Sequence, residues 1–245
     1  MKETAAFAAV GWAIQKKQTE ATTTLIQEEL DKIREELPEG VRLVAISKYH
    51  PVSAIEEAYD CGQRIFGENH VQELMEKESV LPEDIEWHFT GHLQTNKVKY
   101  IAPFIRLIHA VDTEKLLREI DKQGRKAGRR IPCLLQLHIA KEQTKYGFTP
   151  EELDAFLQTG IHKELDFAEI HGLMCMATFT DDQSQIDAEF ARAHDIFEQT
   201  KERYFSDSPF FTELSMGMSE DYTLALRHGS TLVRIGTRIF GERVY

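Results

Sequence analysis

Cysteine is scarce in this chain. Cys61, Cys133 and Cys175 are widely spaced, and no two form a C-x-x-C pair. An odd, scattered set builds neither a disulfide framework nor a cysteine-based zinc site. The three read as small buried apolar side chains in a reducing compartment. Basic charge is also short: 29 Lys and Arg stand against 41 Asp and Glu, a net charge of -12. That excludes non-specific binding to nucleic acid or to an anionic membrane surface. It leaves room for a small anionic ligand held by a few local cations. Long apolar runs are missing, and none nears the roughly 20 residues that span a bilayer. The segment 5–14, AAFAAVGWAI, has the length of a signal-peptide core, but Lys2 and Glu3 cancel ahead of it and no A-x-A cleavage pattern follows. It reads as a helix or a partly ordered terminus, and the protein as cytoplasmic. With no linker, low-complexity tract or long repeat, residues 1–245 read as a single domain; the echo of RIFGEN (64–69) in RIFGER (238–243) does not extend outward and is taken as coincidence.

What is present is an alternation. Apolar strand-like segments fall at 41–47, 63–67, 85–90, 104–111, 132–139, 167–176, 210–215 and 231–236. Helical spacing fills the gaps at 52–61, 70–79, 94–100, 113–127, 150–159, 183–204 and 219–228. A further helix, carrying Leu25, Ile26, Leu30, Ile33 and Leu37, precedes the first strand. Thr149-Pro150-Glu151-Glu152 supplies a cap, a proline at the first helical position and acids in the first turn; Ser219-Glu220-Asp221 has the same character. Near-continuously apolar strands separated by helices indicate parallel pairing covered on both faces. Eight of them predict an α/β fold, a (β/α)8 TIM barrel with an added N-terminal helix, of a size close to the roughly 250 residues usual for that fold. The alternative, an open doubly wound sheet, is disfavoured by the count of eight and by the lack of G-x-G-x-x-G after the first strand.

In such a barrel the chemistry sits at the carboxyl ends of the strands. Standing there are Ser47, Lys48 and Tyr49; Glu68, Asn69 and His70; Gly91 and His92; Asp112; the run SMGMS (215–219); and Arg234, Gly236 and Thr237. The loops after strands 7 and 8 are the usual phosphate site of the fold, and here they are rich in the small residues that let backbone N–H groups approach an anion. Glu220 and Asp221 at the start of the helix after strand 7 would repel a phosphate set squarely on its end. The expected phosphate contacts are therefore Ser215, Gly236 and Thr237. A lysine at a strand end is ordinarily a solvated cap. Beside a phosphate site, a partly desolvated amine can instead condense with an aldehyde. Lysine, phosphate cradle and arginine together describe a pocket for pyridoxal 5′-phosphate (PLP).

The segments AISKYHP, RIFGENHVQE, WHFTGHLQTNK, LSMGMSEDY and STLVRIGTRIFG resemble the YggS/PROSC family of pyridoxal phosphate homeostasis proteins, whose fold is similar to the barrel domain of alanine racemase (fold-type III). The resemblance runs from about residue 25 to the C-terminus. It implies that Lys48 holds PLP as a Schiff base, that Asn69 approaches it from strand 2, that Ser215, Gly236 and Thr237 hold the phosphate, and that Arg234 faces the pyridine nitrogen. A permanent cation there disfavours protonation of the ring and makes it a weak electron sink. Such a site binds the cofactor firmly but suits transamination poorly. The sequence departs from the family pattern at His50, where relatives commonly carry a second lysine, and in GLMCMATF at the end of strand 6.

Other candidates carry less. His88 and His92 share a strand face but stand roughly 13 Å apart, too far for one ion; no metal site is expected, although His92 at the strand end could line the pocket. Asp181 and Asp182 read as loop or helix-start residues, and 113–130 as a solvated helix face. Segment 141–148, KEQTKYGF, could form a lip over the site. The function expected is PLP binding and intracellular PLP homeostasis, with PLP-dependent apoenzymes as partners, no nucleic acid or membrane partner, and no robust catalysis of its own. The alternative is a PLP-dependent amino-acid racemase; a Schiff-base aldolase ranks third. Racemisation needs two bases on opposite faces, and the second base of alanine racemase comes from a separate β-domain for which residues after strand 8 leave no room here. For the same reason a monomer is expected.

Overall fold

A computed structural model describes residues 24–140 and 146–242. The segment 5–14 and most of the lip segment lie outside those residues. Helix α1 (Leu25–Glu36) comes first, capped by the Thr24 side chain accepting from the Gln27 N–H at 3.2 Å, with Leu30 and Ile33 buried. Then follow β1 (Arg42–Ile46), α2 (Val52–Asp60), β2 (Ile65–Glu68), α3 (Val71–Glu78), β3 (Glu86–Phe89), α4 (Val98–Ile101), β4 (Leu107–Val111), α5 (Glu114–Ala127), β5 (Ile131–Leu137), α6 (Pro150–Gln158), β6 (Ala168–Cys175), α7 (Gln183–Tyr204), β7 (Glu213–Met218), α8 (Tyr222–Arg227), β8 (Leu232–Ile235) and α9 (Thr237–Phe240). All pairs of neighbouring strands are parallel, and β8 returns to β1, so the sheet closes into the expected eight-stranded barrel. The closing register sets Val44 beside Arg234 and Ala45 beside Ile235.

Two apolar layers follow from the period of two in each strand. Leu43 and Ala45 of β1, Phe66 of β2 and Val233 and Ile235 of β8 face outward and join the main core beneath the helices. Val44, Leu134, Met174 and Leu232, with Ile46 and Ile65, fill the barrel interior. Thr149 forms a capping box with Glu152 ahead of Pro150, as its residue types predict.

Two boundaries differ from the sequence reading and bear on the site. Strand β7 does not end at Ser215 but runs on to Met218. Helix α8 starts at Tyr222, with Asp221 as its cap residue accepting from the Met218 N–H at 2.6 Å. Ser219 therefore belongs to the turn between them rather than to a helix.

Candidate functional site

The same alternation that turns Val44 and Ile46 inward brings Lys48, two residues past the end of β1, to the barrel mouth. Ile65 likewise leads to Asn69, and Leu232 leads through Arg234 to Gly236. Lys48, Asn69, Arg234, Gly236 and Thr237 line one cavity of about 590 Å³ at the carboxyl end of the strands, together with Ser219. Five of the six residues expected from the sequence thus meet in one place.

Ser215 is the exception. It is fully buried, level with Leu232 and Met174 inside the barrel, and it does not line the cavity. Its hydroxyl accepts from the Arg234 guanidinium at 2.7 Å and lies 3.0 Å from His109 Nδ1. The expectation that Ser215 touches the phosphate is corrected on this ground: the three further residues of β7 place Ser215 deep in the interior. The residue at the mouth is Ser219. Its Oγ accepts from the Gly236 N–H at 3.3 Å and from the Thr237 hydroxyl at 3.1 Å. A Cβ on Gly236 would stand 3.0 Å from the Ile46 carbonyl, so a larger residue would crowd the wall of this cradle. Two hydroxyls and a backbone N–H converging at the open end of the barrel suit a phosphate.

Arg234 is buried and held by two neutral acceptors, Ser215 Oγ and the Cys175 carbonyl at 3.0 Å. Beneath it runs a polar column across the barrel: Ser215 Oγ, His109, then His88, whose Nδ1 is 2.9 Å from His109 Nε2. Burial drives the His88 pKa down to about 3 and holds His109 well below the usual imidazole range, with the nearby arginines adding to the effect. Both rings are neutral. Since Arg234 only donates, a consistent chain has Ser215 donating to His109 and His109 donating to His88. Nothing in the sequence marked His109, which reads as one residue of an apolar strand.

Asn69 accepts from the Thr90 hydroxyl at 2.8 Å. Gly91 follows Thr90, and any Cβ there would come within 2.4 Å of the Asn69 carbonyl oxygen, so the loop after β3 can pack against Asn69 only with glycine at this place. His88 and His92 part company: His92 pairs with Asp112 at 2.9 Å and stacks on Tyr146 with 4.1 Å between ring centroids. No helix of the described residues is long and apolar enough to cross a membrane.

A parallel barrel with a lysine after β1 and an arginine in β8 facing one mouth defines a class, that of the alanine racemase barrel. The family description "Alanine racemase, N-terminal domain" matches residues 23–244. The pyridoxal phosphate homeostasis protein of Aquifex aeolicus is 37% identical over 205 residues, 83% of this chain and 88% of that protein. PipY of Synechococcus elongatus, solved without PLP, superposes with a TM-score of 0.83 at 38% identity, covering 88% of this chain and 100% of that one. The PLP-bound form of PipY gives 0.80 at 37% identity, with the same coverage. The chain belongs to the family of pyridoxal phosphate homeostasis proteins.

Proposed function

We propose that the cavity binds PLP, with the Lys48 amine forming a Schiff base to it, Arg234 beside the ring nitrogen, Asn69 against the ring, and Ser219, Gly236 and Thr237 around the phosphate. The observation that carries this is the convergence of Lys48, Asn69, Arg234 and the Ser219–Gly236–Thr237 cradle on one cavity, in a chain whose relative PipY has been solved with PLP bound. When bound, PLP supplies an aldehyde; the chain supplies an amine, a phosphate cradle and a fixed cation. Arg234 is hydrogen-bonded to a hydroxyl and a carbonyl rather than to a carboxylate, so its positive field reaches the cavity, offset in part by the Asp221 carboxyl on the same wall. That field opposes protonation of a pyridine nitrogen. The site is then suited to holding the cofactor rather than to using it as an electron sink. The physiological role that fits is homeostasis: keeping a reactive aldehyde at low free concentration in a cytoplasmic compartment and releasing it to PLP-dependent apoenzymes, as a monomer.

Borohydride reduction of the PLP-loaded protein, followed by peptide mass spectrometry, tests the assignment. One reduced adduct at Lys48 is expected, and Lys48→Ala should abolish it. An adduct at undiminished yield in Lys48→Ala would overturn the site. Incubation with L-amino acids in deuterated water separates the racemase alternative: rapid α-proton exchange with inversion would favour it, and none is expected.

A further inference from the structure

A charge cluster outside the barrel wall grips the main chain on both sides of Lys48. Ser47 and Glu68 face away from the cavity and meet α3. The buried Lys77 ammonium donates to the Ser47 carbonyl at 2.8 Å, to Glu68 Oε1 at 2.7 Å and to Glu73 Oε1 at 2.7 Å, which uses all three of its N–H bonds. The Ser47 hydroxyl donates to Glu68 Oε1 at 2.7 Å. Glu73 Oε1 also accepts the Tyr49 N–H at 2.6 Å.

The consequence is geometric. The Ser47 carbonyl belongs to the peptide plane before Lys48, and the Tyr49 N–H belongs to the plane after it. Peptide units are planar, so holding both planes fixes both backbone torsions of Lys48 and with them the direction of its side chain. The turn is closed by the His50 N–H donating to the Ser47 carbonyl at 3.1 Å. Tyr49 sits at φ 66°, the one non-glycine residue in left-handed backbone among the described residues. Such a conformation persists where its surroundings over-determine it, and Glu73 is the group that holds its N–H.

We propose that Glu73 and Lys77 are positioning residues that hold the Lys48 turn in the form that aims the amine into the cavity, and so set how readily Lys48 condenses with an aldehyde. This rests on the reading of Lys48 as the cofactor amine. The cluster does not touch the cavity and acts only through the backbone. It therefore affects the covalent part of binding and leaves the phosphate cradle unchanged.

Two probes separate those parts: PLP, and 4′-deoxypyridoxine 5′-phosphate, which has the ring and phosphate but no aldehyde. Glu73→Ala should weaken PLP binding about tenfold and slow formation of the borohydride-trapped Lys48 adduct, while affinity for the deoxy analogue stays within about twofold. Glu73→Gln keeps the acceptor oxygen and should restore PLP binding to near the parent level. Amide hydrogen exchange at Tyr49, measured without any ligand, should accelerate in Glu73→Ala and not in Glu73→Gln. Lys77→Met, which removes the ammonium and leaves the turn's other contacts, should show the same split between the two probes. Equal losses for both probes, or no loss for PLP in either Glu73→Ala or Lys77→Met, would overturn the proposal. If the parent protein binds PLP no tighter than the deoxy analogue and yields no Lys48 adduct, the reading of Lys48 itself falls, and that failure is visible before any variant is made.

Discussion

The Arg234 guanidinium donates to the Ser215 hydroxyl at 2.7 Å, inside the barrel and below the floor of the cavity. Ser215 is thus a support for the arginine, and the mouth serine is Ser219. The two serines should fail differently. Ser219→Ala removes a hydroxyl from the phosphate cradle and should weaken PLP about tenfold, the effect of roughly 1.4 kcal/mol expected for a hydrogen bond to a charged group. Inorganic phosphate should lose its ability to compete, while the melting temperature stays unchanged. Ser215→Ala strands a buried guanidinium N–H and the His109 ring nitrogen, at a cost of about 1–3 kcal/mol. It should lower stability in denaturant titration and leave phosphate competition intact.

Gly91 gives a sharper steric test. An added Cβ would meet Asn69 at 2.4 Å from its carbonyl oxygen and 2.8 Å from its Cα, and neither backbone atom can yield without moving the end of β2. Gly91→Ala should cost roughly 1–3 kcal/mol as overpacking and shift Asn69 away from Thr90. Affinity for the deoxy analogue of PLP should fall along with stability if Asn69, which lines the cavity, packs against the ring as proposed. Calorimetry with that analogue checks it.

How much of this was legible beforehand depends on the kind of signal. The barrel was readable because each strand is apolar on both faces and each is followed by a helical stretch; Lys48, Asn69, Arg234 and Gly236 were readable because strand ends in that fold converge. Ser215 was misplaced because the apolar run that marks a strand breaks at Ser215, while the backbone ladder continues through Gly217 to Met218. Hydrophobicity locates burial, and a buried serine looks like an end. Glu68 and Lys77 were opaque for a related reason. Glu68 reads as one of the residues at the barrel mouth and Lys77 as nothing in particular on its helix, and only their pairing at 2.7 Å allows both to be buried.

Arg238 ties the two ends of the described chain together. It pairs with Glu36 at 2.9 Å and Glu29 at 3.1 Å, both on α1, and meets the Tyr222 hydroxyl, which also bonds Glu36. Arg238 directly follows Thr237, which lines the cavity and is proposed to hold the phosphate. Several groups share one partly buried network, so it is worth more than a single surface pair, which contributes under about 1 kcal/mol. Arg238→Ala should destabilise by roughly 1–2 kcal/mol and loosen PLP binding a few-fold. Adding salt should narrow the gap between variant and parent, measured by thermal melts at two ionic strengths.

The Glu68 carboxyl should make stability depend on pH in an unusual direction. Burial pushes its pKa from 4.5 up to about 7, against the opposing pull of Lys77 and the Ser47 hydroxyl. One oxygen, Oε2, has no hydrogen-bond partner. The folded state therefore binds more protons than the unfolded state between pH 4.5 and about 7, and stability falls as pH rises through that window. The shift corresponds to a change on the order of 3 kcal/mol. The buried histidines act oppositely: His88, its pKa depressed from 6.5 to about 3, makes stability rise with pH over that range, and the depressed His109 adds in the same direction. The raw profile of the parent mixes these opposing contributions, so the informative quantity is the difference between parent and Glu68→Gln. Glutamine keeps an acceptor oxygen for Lys77 and Ser47 but cannot ionise. The stability of Glu68→Gln relative to the parent should climb by about 3 kcal/mol between pH 4.5 and pH 8, measured by denaturant unfolding at a series of pH values. A difference that stays flat across the series would mean that Glu68 is ionised throughout, its charge fully met by Lys77.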